Sequence, residues 1–229
     1  MKRKIAALLA ALLLLTACGG KDAGGSSSAS GGGASLETSS QSQTASSGTS
    51  EPQPTVAYAP GDLTESSYAS DYYGLHFTLP RGCSMMTREE LDGMMEAGMG
   101  GISAAEEGGA TFGELLAVQD ATGSNILLLT EQLTVPEDCQ GYANLANRQF
   151  QNQPGVTLVN DGVLVPAEVG GLPFQKAGYI FDFGEEGGKA YSDTYLYKLG
   201  DCMLVLTTYH TGGDEGQKAI ETLLGGFEL

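Results

Sequence analysis

The apolar residues of this chain fall into two regions, a short run near the N terminus and a long patterned region that begins near residue 68. The run from Ile5 to Leu15 contains only Ala, Leu and Ile, and it follows the basic segment 2–4. These features are typical of a secretory signal peptide, and the run is too short to span a membrane. Residues 24–49 are almost entirely small or polar, and this composition predicts a disordered linker.

In the patterned region, the spacing of apolar residues predicts both strands and helices. Tyr73, Leu75, Phe77 and Leu79 alternate with other residues, as in a strand with one buried face. Further strands are predicted at 112–119, 125–133, 156–165, 174–183, 189–199 and 202–209. Helices are predicted at 87–95, 138–150 and 214–224, because apolar residues recur there at helical spacing. The glycine-rich segment 98–109 predicts a mobile loop.

Short connections between the strands indicate antiparallel pairing, and Gly200-Asp201 has the form of a two-residue hairpin turn. The order of elements is strand, helix, hairpin, helix, a meander of strands and a final helix. This order predicts an α+β fold in which an antiparallel sheet is flanked by helices. Phe227 and Leu229, which follow the last helix, are expected to fold back onto the core.

The segment Leu15-Thr16-Ala17-Cys18 ends the N-terminal apolar run and resembles the lipobox of bacterial lipoproteins. In that class, the cysteine thiol receives a covalent diacylglycerol and the cysteine becomes the new N terminus. The resemblance implies a lipid anchor on Cys18 and a position at the cell membrane, facing the extracytoplasmic side. The chain is therefore predicted to comprise a signal peptide at 1–17, a tether at 18–67 and one globular domain at 68–229.

The charge of the chain argues against two classes of partner. The sequence has 11 basic and 28 acidic residues, for a formal net charge of −17. Removal of residues 1–17 takes away three basic residues, so the mature chain carries −20. Nucleic acids and anionic lipid headgroups bind to basic surfaces, and we expect this domain to bind neither. Its contact with the membrane is predicted to be through the lipid anchor only.

The start of the globular region resembles that of PsbP-like domains. In residues 72–82, YYGLHFTLPRG, a tyrosine and a glycine precede an apolar strand that is closed by Pro-x-Gly. The corner at 170–173 and the C-terminal segment 226–229 are also similar, although Cys83 stands where the family usually has an aromatic residue. The resemblance covers residues 68–229 and implies a PsbP-like α/β/α layer sandwich. It transfers no functional residue to this chain.

No motif in the sequence identifies a catalytic centre or a metal site. His76 and His210 are the two histidines, and neither stands in a zinc-binding or Ser-His-Asp pattern. The predicted site residues therefore include no catalytic, metal-binding or cofactor-binding residue. The diacylglycerol on Cys18 is the one covalent group that we expect.

A tyrosine row is the strongest candidate for a binding surface. Tyr191, Tyr195 and Tyr197 share one face of a predicted strand, and tyrosine offers a sugar or a peptide an apolar body with a polar tip. Burial of the row beneath a helix is the alternative interpretation. His76 and His210, expected at the surface or at a sheet edge, complete the candidate surface.

Three cysteines remain beside Cys18, and an odd number cannot all pair within one chain. Cys83, Cys139 and Cys202 are predicted to be small apolar residues in the core. Taken together, the sequence favours a non-catalytic accessory or binding lipoprotein of the cell envelope, with an envelope protein or ligand as partner. The alternative is an envelope hydrolase whose site would use His76 or His210 with nearby carboxylates.

Overall fold

The computed structural model describes residues 54–99, 111–133, 136–151 and 153–229. Its strands are β1 (Asp62–Leu63), β2 (Ser67–Ser70), β3 (Leu75–Thr78), β4 (Ser84–Met85), β5 (Thr111–Gln119), β6 (Asn125–Gln132), β7 (Val156–Leu158), β8 (Val165–Val169), β9 (Leu172–Asp182), β10 (Lys189–Leu199), β11 (Cys202–Tyr209) and β12 (Phe227–Glu228). Its helices are α1 (Arg88–Met99), α2 (Cys139–Phe150), α3 (Gly184–Gly187) and α4 (Gly213–Leu224), and a 3-10 turn spans Val159–Gly162.

The strands form two antiparallel sheets. The larger sheet has the order β4-β5-β6-β11-β10-β9-β7, and β8 also pairs with β9. The smaller sheet has the order β1-β2-β3-β12. The predicted α+β fold with antiparallel strands and flanking helices is confirmed.

Strands β6 and β11 form the centre of the larger sheet. They pair along their whole length, from Asn125 opposite Tyr209 to Gln132 opposite Cys202. Every residue of β11 is buried, and so is every residue of β6 except Gln132. A strand that is buried on both faces requires a packed layer on each side of the sheet.

Helices α1 and α2 provide the layer on one face. Leu91 of α1 and Tyr142 and Ala143 of α2 share a buried cluster with Leu129 and Val205 of the central strands. Helix α2 begins as predicted, because the Asp138 side chain caps it by accepting a 2.7 Å hydrogen bond from the Gly141 N–H. At the start of α1, Thr87 and Glu90 form the predicted capping box.

Helix α4 and the smaller sheet provide the layer on the opposite face. Leu223 of α4 and Phe77 of β3 share the largest buried cluster with Leu128 and Leu206 of the central strands. The Tyr73 hydroxyl bonds to Thr130 of β6 and thereby fixes the smaller sheet to the larger one. None of the helices that the structure describes is long and apolar enough to cross a membrane.

The smaller sheet includes residues that the sequence assigned to the tether. Strand β1 pairs with β2 at residues 62 and 63, before the predicted boundary at 68. The Tyr58 ring also meets the Tyr72 ring edge to face, with centroids 5.3 Å apart. Residues 18–53 lie outside the described residues.

The fold also corrects the bounds of two predicted elements. The strand predicted at 156–165 is divided into β7 and β8 by the 3-10 turn, in which Asn160 and Asp161 have positive φ angles of 52° and 53°. Asn and Asp tolerate this left-handed backbone, and Asn-Asp-Gly is a turn signal that the apolar count concealed. Helix α1 extends to Met99, into the predicted loop 98–109, whose residues 100–109 lie outside the described residues.

The C terminus divides between core and solvent. Phe227 is 6% exposed, and its ring lies 4.8 Å from that of Phe77, because β12 pairs with β3. Leu229 is 64% exposed, so the expectation that it joins the core is wrong. It lies two residues beyond Phe227 and one beyond the end of β12.

We therefore expect the Phe227 side chain, and not that of Leu229, to stabilise the packing of β12. We expect Phe227→Ala to lower the free energy of unfolding by about 3–5 kcal/mol, since it removes a buried ring. The matched change Leu229→Ala should alter it by less than about 0.5 kcal/mol, because that side chain is exposed. Urea denaturation measures both values, and a loss of equal size in the two variants would contradict this account of β12.

Candidate functional site

The three tyrosines of the predicted row lie on one face of β10, but they differ in environment. Tyr195 is 7% exposed, and the Phe174 ring meets it edge to face. Tyr197 is half-buried, with its ring centroid 5.8 Å from that of Phe174. Burial raises the pKa of both hydroxyls. Tyr195 therefore belongs to the core, and Tyr191 is the member of the row that lies beyond it.

Tyr191 is held against His210, so the structure brings two of the predicted site residues together. Their backbones exchange two hydrogen bonds, of 2.8 and 3.0 Å, at the end of the β10–β11 pair. The rings are stacked, with centroids 5.2 Å apart and planes inclined by 15°. The Gly212 N–H donates to His210 Nδ1 at 3.1 Å, so a neutral His210 ring carries its proton on Nε2. Burial lowers the pKa of His210, and the nearby Asp193 acts in the opposite direction.

This pair belongs to a row of side chains that runs from β7 across β9 and β10 to the residue that follows β11. Ile180 of β9 is the cross-strand partner of Tyr191, and Thr157 of β7 is the partner of Ile180. Cross-strand partners point to the same side of a sheet. Thr157 is exposed, and the other three side chains are half-buried. We call Thr157, Ile180, Tyr191 and His210 the aromatic row.

An ion pair flanks the aromatic row on each side. Lys176 Nζ lies 3.0 Å from Asp193 Oδ2, and these side chains are 32% and 35% exposed. Lys189 Nζ lies 3.8 Å from Asp182 Oδ2, with both side chains about half exposed. Lys189, Asp193 and Asp182 each lie two residues from a member of the row and therefore share its face. Lys176, opposite Tyr195, has the same face and reaches the row through Asp193. The aromatic row and the two ion pairs together are called the open strip.

The covering layers leave the open strip accessible. Helix α4 starts at Gly213 and passes close to His210 at Gly216, where an added Cβ would lie 2.8 Å from His210 Nδ1. The smaller sheet lies toward the other end of β10, where the Tyr72 hydroxyl donates to the Leu199 carbonyl at 2.9 Å. The strip remains as a partly exposed part of the sheet face between these supports and the β7 edge.

His76 does not belong to this site. It lies on β3 in the smaller sheet, exposed, opposite Ala69 on one neighbouring strand and Glu228 on the other. The two histidines therefore occupy different sheets. Over the ranges that the structure covers, no group of three His, Cys, Asp or Glu side chains is arranged to hold a metal ion.

The three domain cysteines are free thiols with different degrees of burial. Cys139 and Cys202 are buried, as predicted, and Cys139 Sγ lies 3.8 Å from the Leu196 carbonyl oxygen. Cys83 is only half-buried, which corrects the prediction that all three are core residues. Burial, with a smaller contribution from Asp120, raises the pKa of the Cys83 thiol. Cys18 lies outside the described residues.

Glu131 is a buried acid that the sequence analysis did not single out. It lies on β6, is 3% exposed, and its Oε2 atom has no hydrogen-bond partner among the described residues. Burial raises the pKa of this carboxyl group above its ordinary value of 4.5, and Tyr142 of α2 opposes the shift. The sequence did contain a signal for this burial. Glu131 alternates with the buried Leu127 and Leu129 along β6, and residues two apart on a strand share a face.

The pH dependence of stability tests the state of Glu131. Because its folded-state pKa is raised, its contribution is fully present below about pH 4.5 and is lost as the pH rises through the folded-state value. We expect Glu131→Gln to melt with a flatter pH profile than the unmodified protein across this range. Glu168→Gln, an exposed change on β8, is the matched control and should keep the original slope. Identical slopes for all three proteins would show that folding does not raise the pKa of Glu131.

No family model matches the chain, and the search of curated proteins also found no match. Among solved structures, LpqN of Mycobacterium tuberculosis, involved in cell envelope biogenesis, is 11% identical, with coverage of 72% of this chain and 85% of that chain and a TM-score of 0.40. Cyanobacterial PsbP (CyanoP) from Synechocystis is also 11% identical, with coverage of 76% and 98% and a TM-score of 0.42. A structure from Bacteroides thetaiotaomicron is 14% identical, with coverage of 72% and 48% and a TM-score of 0.34. Each comparison is a likeness of fold.

Proposed function

We propose that this chain is a lipid-anchored protein of the bacterial cell envelope whose α+β domain is a non-catalytic accessory or binding module. The observation that carries the proposal is Leu15-Thr16-Ala17-Cys18 at the end of an apolar run with a basic start. A diacylglycerol on Cys18 would hold the protein at the outer face of the cytoplasmic membrane. The mature chain would carry a charge of −20, which disfavours binding of the domain to anionic lipids.

The composition between Cys18 and the domain supports a tethered module. Residues 18–53 are rich in Gly and Ser, and a chain of this composition and length is expected to span roughly 30–36 Å on average. The first described residue, Pro54, lies beside the turn between β10 and β11, with Cδ 3.2 Å from the place that a Gly200 Cβ would occupy. The tether is therefore proposed to join the domain at this turn.

The open strip supports a binding role for the domain. Elsewhere on this face, the side chains of β6 and β11 are covered by α4 or by the smaller sheet. At the strip, Ile180, Tyr191 and His210 remain partly exposed. The charged side chains that border them are paired with one another in two ion pairs. An ordered, partly apolar surface of this kind is typical of an interaction site.

Acylation of Cys18 is the decisive test of the anchor. In cells given labelled palmitate, we expect the unmodified protein to carry the label and to enter the detergent phase. Cys18→Ala should carry none, because it lacks the acceptor thiol. Cys83→Ala is the matched control: it removes the half-buried domain thiol and should be labelled normally. Label retained by Cys18→Ala would disprove the anchor.

The accessory role predicts a partner in the envelope. Crosslinking in intact cells, followed by mass spectrometry, should recover an envelope protein or polymer bound to the unmodified protein. The same recovery from cells expressing Cys18→Ala should fall, since that variant is not held at the membrane by lipid. Recovery at background level from the anchored protein would count against a binding module.

A further inference from the structure

We propose that His210 is a pH-dependent cap of helix α4: its neutral ring holds the first turn of the helix, and protonation of Nδ1 releases that turn. The inference goes beyond the proposed function, because it concerns contacts within the domain between α4 and the residue that follows β11. It requires neither a ligand on the open strip nor a lipid on Cys18, so it can be tested separately from both.

Helix α4 begins without the side-chain cap that α1 and α2 have. Helix α1 starts with the Thr87–Glu90 capping box, and α2 starts with the Asp138 cap. The residue before α4 is Gly212, which has no side chain that could accept a bond from the first turn. The Gly212 N–H instead donates to His210 Nδ1 at 3.1 Å. The imidazole ring is therefore the group that fixes the start of α4.

The imidazole ring is packed closely at the position where it accepts this bond. The Tyr191 ring stacks on it, with centroids 5.2 Å apart and planes inclined by 15°. Helix α4 passes so near at Gly216 that an added Cβ would lie 2.8 Å from His210 Nδ1. Because Nδ1 lies between the Gly212 N–H and the first turn of α4, a proton on this nitrogen would point into the start of the helix.

Protonation of His210 removes the bond and opposes the helix dipole. A neutral imidazole nitrogen can accept a hydrogen bond, whereas both nitrogens of the charged ring are donors. A protonated Nδ1 would therefore face the Gly212 N–H, donor against donor, and its charge would lie at the positive end of α4. A state in which the first turn has moved away lets the ring reach water and take up a proton at its ordinary pKa. The closed state is thus favoured above about pH 6.5, and it weakens as the pH falls through that value.

The charged and titratable groups around the ring modify this balance without reversing it. They are Tyr191, Lys189 and Asp193 on β10, Asp182 on β9, and Asp214 and Glu215 in the first turn of α4. Burial lowers the pKa of His210, and the opposing effect of Asp193 is smaller. The Asp193 carboxylate lies 3.0 Å from Lys176 Nζ, and that of Asp182 is paired with Lys189. The two acids of α4 are exposed, so solvent weakens their attraction for a charged ring.

The packing of α4 limits the release to its first turn. Residues 213–215 are exposed, whereas Ile220 and Leu223 are buried in the cluster over the central strands and hold the rest of the helix. The two backbone hydrogen bonds between Tyr191 and His210 do not involve the imidazole ring. Protonation therefore leaves the sheet and the later turns of α4 in place.

Hydrogen exchange of the full chain, followed by mass spectrometry at about pH 7.5 and about pH 5.5, tests this cap. The rates are corrected for the intrinsic exchange rate at each pH. In segment 211–220 we expect opening to increase by up to about 10-fold at the lower pH, because a histidine with the ordinary pKa of 6.5 takes up a proton over this interval. The paired residues of β10 and β11 should keep their protection at both pH values.

Three variants separate the cap from other sources of pH dependence. His210→Asn keeps an acceptor oxygen near the position of Nδ1 but does not titrate, so its opening should change less than about twofold between the two pH values. His210→Phe keeps a ring against Tyr191 but has no acceptor, and its segment 211–220 should be open at both pH values. His76→Asn is the matched control, because it removes the other histidine from an exposed position and should keep the full response.

Three outcomes would overturn the proposal. The first is equal protection of segment 211–220 at the two pH values in the unmodified protein. The second is a full pH response in His210→Asn or in His210→Phe, which would assign the response to another group; the two variants are independent, so a folding defect in one leaves the other to decide. The third is an equal loss of protection in the central strands, which would mean that the domain unfolds as a whole.

Discussion

The constraint on which this fold depends is the two-sided burial of β6 and β11. Fifteen of their sixteen residues are buried, and the two strands pair without interruption over eight positions. A sheet centre of this kind is stable only if both faces are covered, and the chain supplies α1 and α2 on one side and α4 with the smaller sheet on the other. The smaller sheet thus covers part of one face of the larger sheet. Strand β12 belongs to the smaller sheet, and its Phe227 packs against Phe77 in the same buried cluster.

The same constraint explains why the open strip differs from the rest of the sheet. On this face, α4 and the smaller sheet cover the side chains of β6 and β11. They cover less of β9 and β7, where the outer side chains include aromatic and charged residues. Gly178 shows how closely this margin is packed, since a Cβ there would lie 3.0 Å from Asp193 Oδ1 and 3.1 Å from Val159. The missing side chain leaves room for the Asp193 carboxylate beside Lys176. The ion pairs are therefore placed by packing, and at this exposure their contribution to stability is small.

The sequence predicted the elements well because most of them carry a complete local signal. Helix α2 has a capping aspartate and an apolar face, and both were found where the spacing placed them. The failures occurred where local and tertiary signals compete. The apolar residues of 156–165 indicate one strand, but the Asn160-Asp161-Gly162 turn divides it. The three tyrosines of the row share one face of their strand, yet a shared face does not tell which part of it is covered, and Tyr195 is in the core whereas Tyr191 is not. The pairing of Tyr191 with His210 joins separate strands, and it could not be predicted from either strand alone.

In the proposed function, one end of β10 lies beside the attachment of the tether and the other end carries part of the open strip. At Leu199 the strand ends beside the turn where Pro54 and the Tyr58–Tyr72 contact hold the start of the described chain. Tyr191 lies eight residues earlier on the same strand, which corresponds to a separation of about 26 Å at the usual rise of a strand. A tether that joins the domain at the turn would therefore leave the open strip at the other end of the sheet. Because the strand between them is rigid and paired on both sides, this separation is fixed by the fold, and a ligand on the strip does not compete with the tether for space.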